Sequence, residues 1–257
     1  MTPFELATTP DPHGHLSWAE GWFQGRGAYG GAVAAALWRS MAALAPGRSC
    51  RSLTVHFAAP PTRATFTAKL EREGSRVSQL SARAEHEGQV LSLALASFAR
   101  PRPDGPVFAR DPIPEIPGHE HCVEVDVGAL GAPRCTQHFR YRLAPGPLPF
   151  SGAERARIDL WCRPEVPQVL DVGLLVGLLD VRPPPILTTF TRPRELATVD
   201  LRVQVLAMPE APDPGAWWLV RAWSSQAGEG YVEEQHELWS EQGVLVARAQ
   251  QVVAVLS

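Results

Sequence analysis

A stretch almost without polar side chains runs from Val169 to Asp180, VLDVGLLVGLLD, where only Asp171 and Asp180 are polar. Three prolines, Pro183 to Pro185, stop it shortly afterwards. An apolar run of this kind predicts a helix buried on all sides, with Pro167 suited to its first turn. A second such run, AVAAALWRSMAALA from Ala32 to Ala45, is rich in good helix formers. Arg39 and Ser40 are its only polar residues, and Pro46 and Gly47 end it.

Around these helices the pattern shortens to strands. Leu16 to Gln24 reads as a strand before the first helix. Four more follow that helix: Arg51 to Ala58, Thr65 to Glu71, Val77 to Glu85 and Val90 to Phe98. Turn residues at Pro60-Pro61, Glu73-Gly74-Ser75 and Glu87-Gly88 divide them. Short turns predict antiparallel pairing. Phe66, Ala68 and Leu70 alternate with polar neighbours, so one face of this sheet meets water. Residues from Arg100 to about Pro133 are proline-rich and predict irregular structure. Beyond them the order repeats: strands at His138 to Leu143 and Arg157 to Arg163, then the Val169–Asp180 helix. Strands at Ala197 to Leu206, Trp217 to Trp223, Tyr231 to Trp239 and Val244 to Val255 complete it.

The repeat is visible residue by residue. Leu53-Thr-Val-His-Phe-Ala-Ala-Pro60 aligns with Leu201-Arg-Val-Gln-Val-Leu-Ala-Met-Pro209, with one extra residue before the proline. Glu87-Gly-Gln-Val-Leu91 aligns with Glu241-Gln-Gly-Val-Leu245. Twice the chain gives a strand, a buried helix and four antiparallel strands. The predicted fold is α+β: two hotdog units in tandem, each a helix wrapped by a curved antiparallel sheet, the two sheets joined edge to edge. Residues 1–103 form the N-terminal unit, 104–133 a linker and 134–257 the C-terminal unit.

Composition narrows the function. With 257 residues and 45% apolar content the chain can bury a large core. A net charge of −3 without a Lys or Arg block speaks against a nucleic-acid partner. No signal-peptide pattern and no run of bilayer-spanning length is seen, and the four cysteines are scattered without a CxxC pair. The expectation is a soluble cytoplasmic protein without a membrane partner.

GRGAYG, Gly25 to Gly30, matches the dinucleotide pattern GxGxxG. No acid lies between Gly31 and Leu70 to meet a ribose, and the following strands read as antiparallel, so a Rossmann site is not expected. Gly30 and Gly31 instead allow a helix N-terminus to approach a neighbour, or to offer free N–H groups to an oxyanion. GxSxG is absent, and no covalent nucleophile is indicated. His119, His121, Cys122, Cys135 and His138 have metal-ligating chemistry at spacings that fit no standard zinc motif, and no metal is expected.

Asp180 remains. An anion there meets the negative end of its own helix in apolar surroundings, and both effects raise its pKa toward the range of a general base. Asp171, near the positive end, reads as structural. The first repeat has no matching acid, since Ala43-Leu-Ala-Pro46 closes its helix. Thr198 and Gln251, on two strands of the second repeat, can hold a water against Asp180.

At RGAYGGAVAAAL, at RSLTVHFAAP with EREGSRVSQLSARAEHEGQVLSLALASF, and at LLDVRPPP, the chain resembles the acyl-CoA thioesterase II family of double-hotdog proteins, over nearly its whole length. The resemblance implies a hydrolytic site of Asp180, Thr198 and Gln251, with Gln250 as the alternative register. It implies hydrolysis of an acyl-CoA thioester by an activated water, in fatty acid metabolism, with coenzyme A only as part of the substrate and no other cofactor. The acyl chain is expected in an apolar tunnel between helix and sheet, with arginines at its rim for the CoA phosphates, and the chain is expected to form dimers or larger homo-oligomers. Two other readings are a non-catalytic acyl-CoA binding protein and a hotdog hydratase or dehydratase. The latter needs a histidine beside the helix acid, and neither buried helix contains one.

Overall fold

In a computed structural model describing residues 1–108, 111–129 and 131–256, the two repeats form one sheet that curls around a central helix pair. The N-terminal unit consists of strand β1 (His15–Ser17), helix α2 (Gly30–Ala42), and strands β2 (Ser49–Phe57), β3 (Arg63–Glu73), β4 (Val77–His86) and β5 (Gln89–Ala99). A short helix α1 (Pro3–Thr8) precedes them. The C-terminal unit adds β6 (Val123–Val125) and β7 (Phe139–Leu143) at its outer edge. It continues through β8 (Arg157–Pro164), helix α3 (Val172–Asp180), β9 (Leu196–Val205), β10 (Trp218–Trp223), β11 (Tyr231–Ser240) and β12 (Leu245–Val255).

Strand order along the sheet is β1-β3-β4-β5-β2, then β9-β12-β11-β10-β8-β7-β6, every pairing antiparallel. Each unit therefore repeats one topology, in which the first strand lies beside the third and the second beside the fifth. The halves meet where β2 pairs with β9. There Leu53 opposes Val203, Thr54 opposes Arg202 and Val55 opposes Leu201. Because Leu53 aligns with Leu201 in the repeat, this register relates equivalent residues by a local twofold passing between Thr54 and Arg202. The double hotdog expected from the repeat is the observed architecture.

Local sequence explains most elements. Helix α2 buries Gly31 to Leu37 and Met41, leaving Trp38, Arg39 and Ser40 partly exposed. In β3, Ala64 and Phe66 face the core while Thr67 and Lys69 face water. The β4–β5 hairpin turns on Glu87 and Gly88, both at positive φ (49° and 78°), a backbone hand matching the strand twist that Gly88 adopts without strain.

Three expectations are corrected and one element is added. Only His15–Ser17 of the predicted Leu16–Gln24 strand is a sheet strand. Glu20–Trp22 forms a single 3₁₀ turn, and Phe23–Gln24 pairs in a tiny hairpin with Gly27–Ala28. The second helix begins at Val172 rather than near Pro167, because Asp171 caps it: its Oδ1 accepts the Leu174 N–H at 2.7 Å. The proline-rich stretch contributes strand β6 to the sheet edge. Helix α1 was not predicted, although Thr2-Pro3-Phe4-Glu5 is a capping box that encodes it.

Candidate active site where the two helices meet

Helices α2 and α3 run antiparallel through glycines. A Cβ on Gly31 would lie 3.0 Å from the Gly177 Cα, and one on Gly177 would lie 2.7 Å from the Phe4 ring. At the far end, Arg39 near the end of α2 pairs with Asp171 at the start of α3, at 2.8 Å. At the near end, Asp180 closes α3 against the first turn of α2, and the Gly31 N–H donates to its Oδ2 at 2.6 Å. A Cβ on Gly30 would approach that same oxygen to 2.9 Å. The neighbour that the glycine-rich turn admits is thus the Asp180 carboxylate.

This refines the electrostatics expected from sequence. Asp180 lies at the negative end of its own helix and also at the positive end of α2. Burial raises its pKa, and Arg182 and the Gly31 hydrogen bond pull it down. Glu234 pushes it up again, and the balance stays above the ordinary carboxylate value. It also corrects the expectation for Gly31, whose N–H is committed to Asp180 and holds that carboxylate in place rather than standing free. Gly30, first residue of α2, has no intrahelical acceptor for its N–H. Gly31→Ala is expected to force the helices apart, destabilising the fold by about 1–3 kcal/mol and misplacing Asp180. Urea unfolding checks the first effect and turnover the second; a variant unchanged in both contradicts this contact.

Gln251 is 3% exposed and faces the helices, whereas Gln250 points outward, so only Gln251 can serve the interior. Thr198 reaches the same face through a bulge in β9. Leu201 opposes Gln251 and Thr198 opposes Val253, with one extra residue between Thr198 and Asp200. Unbroken alternation would put Val199 on the inner face; the bulge turns Thr198 inward and leaves Val199 38% exposed. Thr198 is half-buried, and among the described residues no hydrogen bond ties it to Asp180 or Gln251.

The sequence reading missed a buried ionic cluster beside Asp180. Arg182 Nη2 meets Glu234 Oε2 at 2.8 Å, the two side chains 1% and 0% exposed. Gln251 Nε2 donates to the same oxygen at 2.8 Å. His236 lies against both, its Nε2 in contact with Arg182 Nη2 and 3.4 Å from Glu234 Oε2. Burial and the Arg182 charge push His236 down to about 4, so it is neutral at physiological pH. Burial alone would raise Glu234, but Arg182 and bonds from His236 and Gln251 outweigh it and hold it low. The available signal was alternation: Glu234 and His236 are polar positions on the inward face of a strand that also carries Val232 and Leu238.

The chain matches the family profile of the acyl-CoA thioesterase N-terminal domain over residues 18–99 and that of the C-terminal domain over residues 111–255. It belongs to the acyl-CoA thioesterase family. Solved structures share the fold of this family member. A hot dog fold protein of unknown function from Alicyclobacillus acidocaldarius is 25% identical at TM-score 0.89, covering 100% of this chain and 99% of its own. A candidate thioesterase II from Thermobifida fusca is 20% identical at TM-score 0.86, covering 100% and 98%. An acyl-CoA thioesterase II from Mycobacterium marinum is 18% identical at TM-score 0.77, covering 98% of each chain. A search of curated protein sequences returned no significant match.

The other candidates in this family member are dispersed. His138 stacks on Trp22 with ring centroids 3.7 Å apart, while His119 stacks on Trp217 and lies 3.4 Å from Glu241. Burial pushes the Cys135 thiol up to about 12, far from a thiolate at neutral pH. Among the described residues no three His, Cys, Asp or Glu side chains are grouped to hold a metal ion. No helix among them is long and apolar enough to cross a membrane. Concavities of about 730 and 470 Å³ lie on the outer sheet face, around Thr67 and Arg248, and one of about 430 Å³ beside Ile186. None of the three is lined by Asp180, which is 9% exposed, so the expected acyl tunnel is not one of them.

Proposed function

We propose that this family member hydrolyses an acyl-CoA thioester with Asp180 as general base on a water molecule. The observation that carries the reading is a buried carboxylate with its pKa raised and one oxygen fixed by Gly31. Its other oxygen, Oδ1, has no protein donor among the described residues and can take a proton from water. Gln251 Oε1, buried and unpartnered, and the Thr198 hydroxyl supply further contacts for that water.

Water adds to the thioester carbonyl as its proton passes to Asp180. The oxyanion that forms is met by N–H groups of the first turn of α2, with Gly30 the available donor. Collapse breaks the C–S bond, and the proton held by Asp180 passes to the departing CoA sulfur, leaving the free acid and the thiol. No acyl-enzyme is formed. His236 does not favour a hydratase reading, since burial and Arg182 make it a weak base and its ring is held against Arg182 and Glu234.

The test is steady-state release of free thiol from acyl-CoAs of short to long chain length. Turnover supports the reading and sizes the acyl site. No turnover on the whole panel, with acyl-CoA still bound, overturns it in favour of a binding protein. Thr198→Val keeps the shape and removes the hydroxyl; a lost hydrogen bond to the water lowers kcat about tenfold. Wild-type kcat in that variant would remove Thr198 from the site. Sedimentation of the same preparation tests the proposed homo-oligomer.

A further inference from the structure

We infer that Glu234 is the positioning residue of this site, orienting Gln251 and tempering the effect of Arg182 on Asp180. The inference rests on the hydrolytic reading above. One oxygen, Glu234 Oε2, accepts from Arg182 Nη2 and from Gln251 Nε2, each at 2.8 Å. A carboxylate only accepts, so Gln251 must present its NH₂ to Glu234. That turns Gln251 Oε1 the other way, and this oxygen is buried without a partner. A buried amide oxygen without a partner is uncommon, and an acceptor aimed at a water that Asp180 deprotonates accounts for it. β11 and β12 place the pair opposite each other, Glu234 against Gln251, so the contact is built into the sheet register.

The second part is electrostatic. Arg182 follows Asp180 by two residues, and unopposed it would hold Asp180 as a weak base. Glu234 binds that cation and adds its own negative charge, and both effects favour the protonated Asp180. The other groups around Asp180 are Tyr29 at the start of α2 and Cys135 ahead of β7. Burial pushes both above their usual ranges, which keeps them neutral, and His236 on β11 is neutral as well. Among the described residues of this cluster, Glu234 is then the anion besides Asp180 that faces Arg182.

Two variants separate the parts. Glu234→Gln keeps an acceptor for Gln251 and removes the charge. The acid limb of its kcat/KM profile is expected to move to lower pH, because the uncountered Arg182 stabilises the Asp180 carboxylate. Glu234→Leu also frees Gln251, and kcat is expected to fall up to roughly 100-fold with KM little changed. A residue with only a structural role would lower Tm and leave the pH limb in place. An unmoved limb in Glu234→Gln overturns the electrostatic part, and wild-type kcat in a folded Glu234→Leu overturns the orienting part. If Glu234→Leu does not fold, Gln251→Leu replaces it: wild-type kcat there overturns the orienting part, and a comparable fall supports it. Wild-type protein inactive on every acyl-CoA overturns the hydrolytic reading itself, a result distinct from an active wild type with unaffected variants.

Discussion

Asp180→Asn is expected to lower thioester turnover by roughly 10²–10⁴-fold, the usual contribution of a positioned general base, and to leave the fold intact. Asparagine keeps an acceptor for the Gly31 N–H, so the junction of α2 and α3 has no reason to open. Stability should even rise at neutral pH. The folded-state pKa of Asp180 lies above its unfolded value, so its contribution is fully present below the unfolded pKa. It is lost as pH rises through the folded pKa, where the buried group must ionise. The variant and wild type should therefore melt together in acid, and the variant should melt later at pH 7 to 8. Full activity in the variant would remove Asp180 as the base. A lower melting temperature at neutral pH would show that the carboxylate stabilises the fold it occupies.

Arg182→Met is the substitution expected to cost the most stability. It leaves Glu234, 0% exposed, without its cation, and breaking one side of a buried ion pair costs about 3–5 kcal/mol. In a chain of this size that corresponds to a fall in Tm on the order of 10 °C. The loss should depend on pH. Without Arg182, burial dominates and the folded pKa of Glu234 rises above its unfolded value. Its contribution is then complete below the unfolded pKa and disappears as pH climbs through the new folded pKa, so the variant is expected to be least impaired in acid. Thermal melts from pH 4 to 8 check this, and a deficit that does not change with pH would contradict it. The double variant Arg182→Met, Glu234→Leu should recover much of the loss, because an apolar pair of similar volume carries no desolvation cost. Failure to recover would mean that the surrounding polar groups, His236 and Gln251, depend on the pair.

Asp180 was legible in sequence because a lone acid at the end of an apolar run is costly unless it is partnered or used. The twelve residues from Val169 to Asp180 carry that contrast locally. Thr198 and Gln251 were legible as polar residues on strands, but their shared face was not. A bulge turns Thr198 inward, and only the paired strand shows where the extra residue falls. Glu234 and His236 alternate with Val232 and Leu238, which marks their face of the strand but not their partner Arg182, which comes from a distant loop. Arg182 lies after the helix and just before three prolines, where nothing local shows that its side chain meets Glu234, 52 positions away.

By itself the sequence determined the repeat, the two apolar helices, and the antiparallel strands with their turns. Each of these follows from periodicity and backbone chemistry within about a dozen residues. The edge-to-edge joining of the halves followed from the same repeat, and the β2–β9 register carries it out about a local twofold. Only the tertiary structure decided what surrounds Asp180. It brought the first turn of α2 to the last residue of α3, 149 positions apart, through a glycine contact too close for any side chain. It also gathered Arg182, Glu234, His236 and Gln251 from a loop and two strands into one buried cluster. Burial and charge at a point are sums over everything nearby in space, and no local pattern along the chain contains that sum.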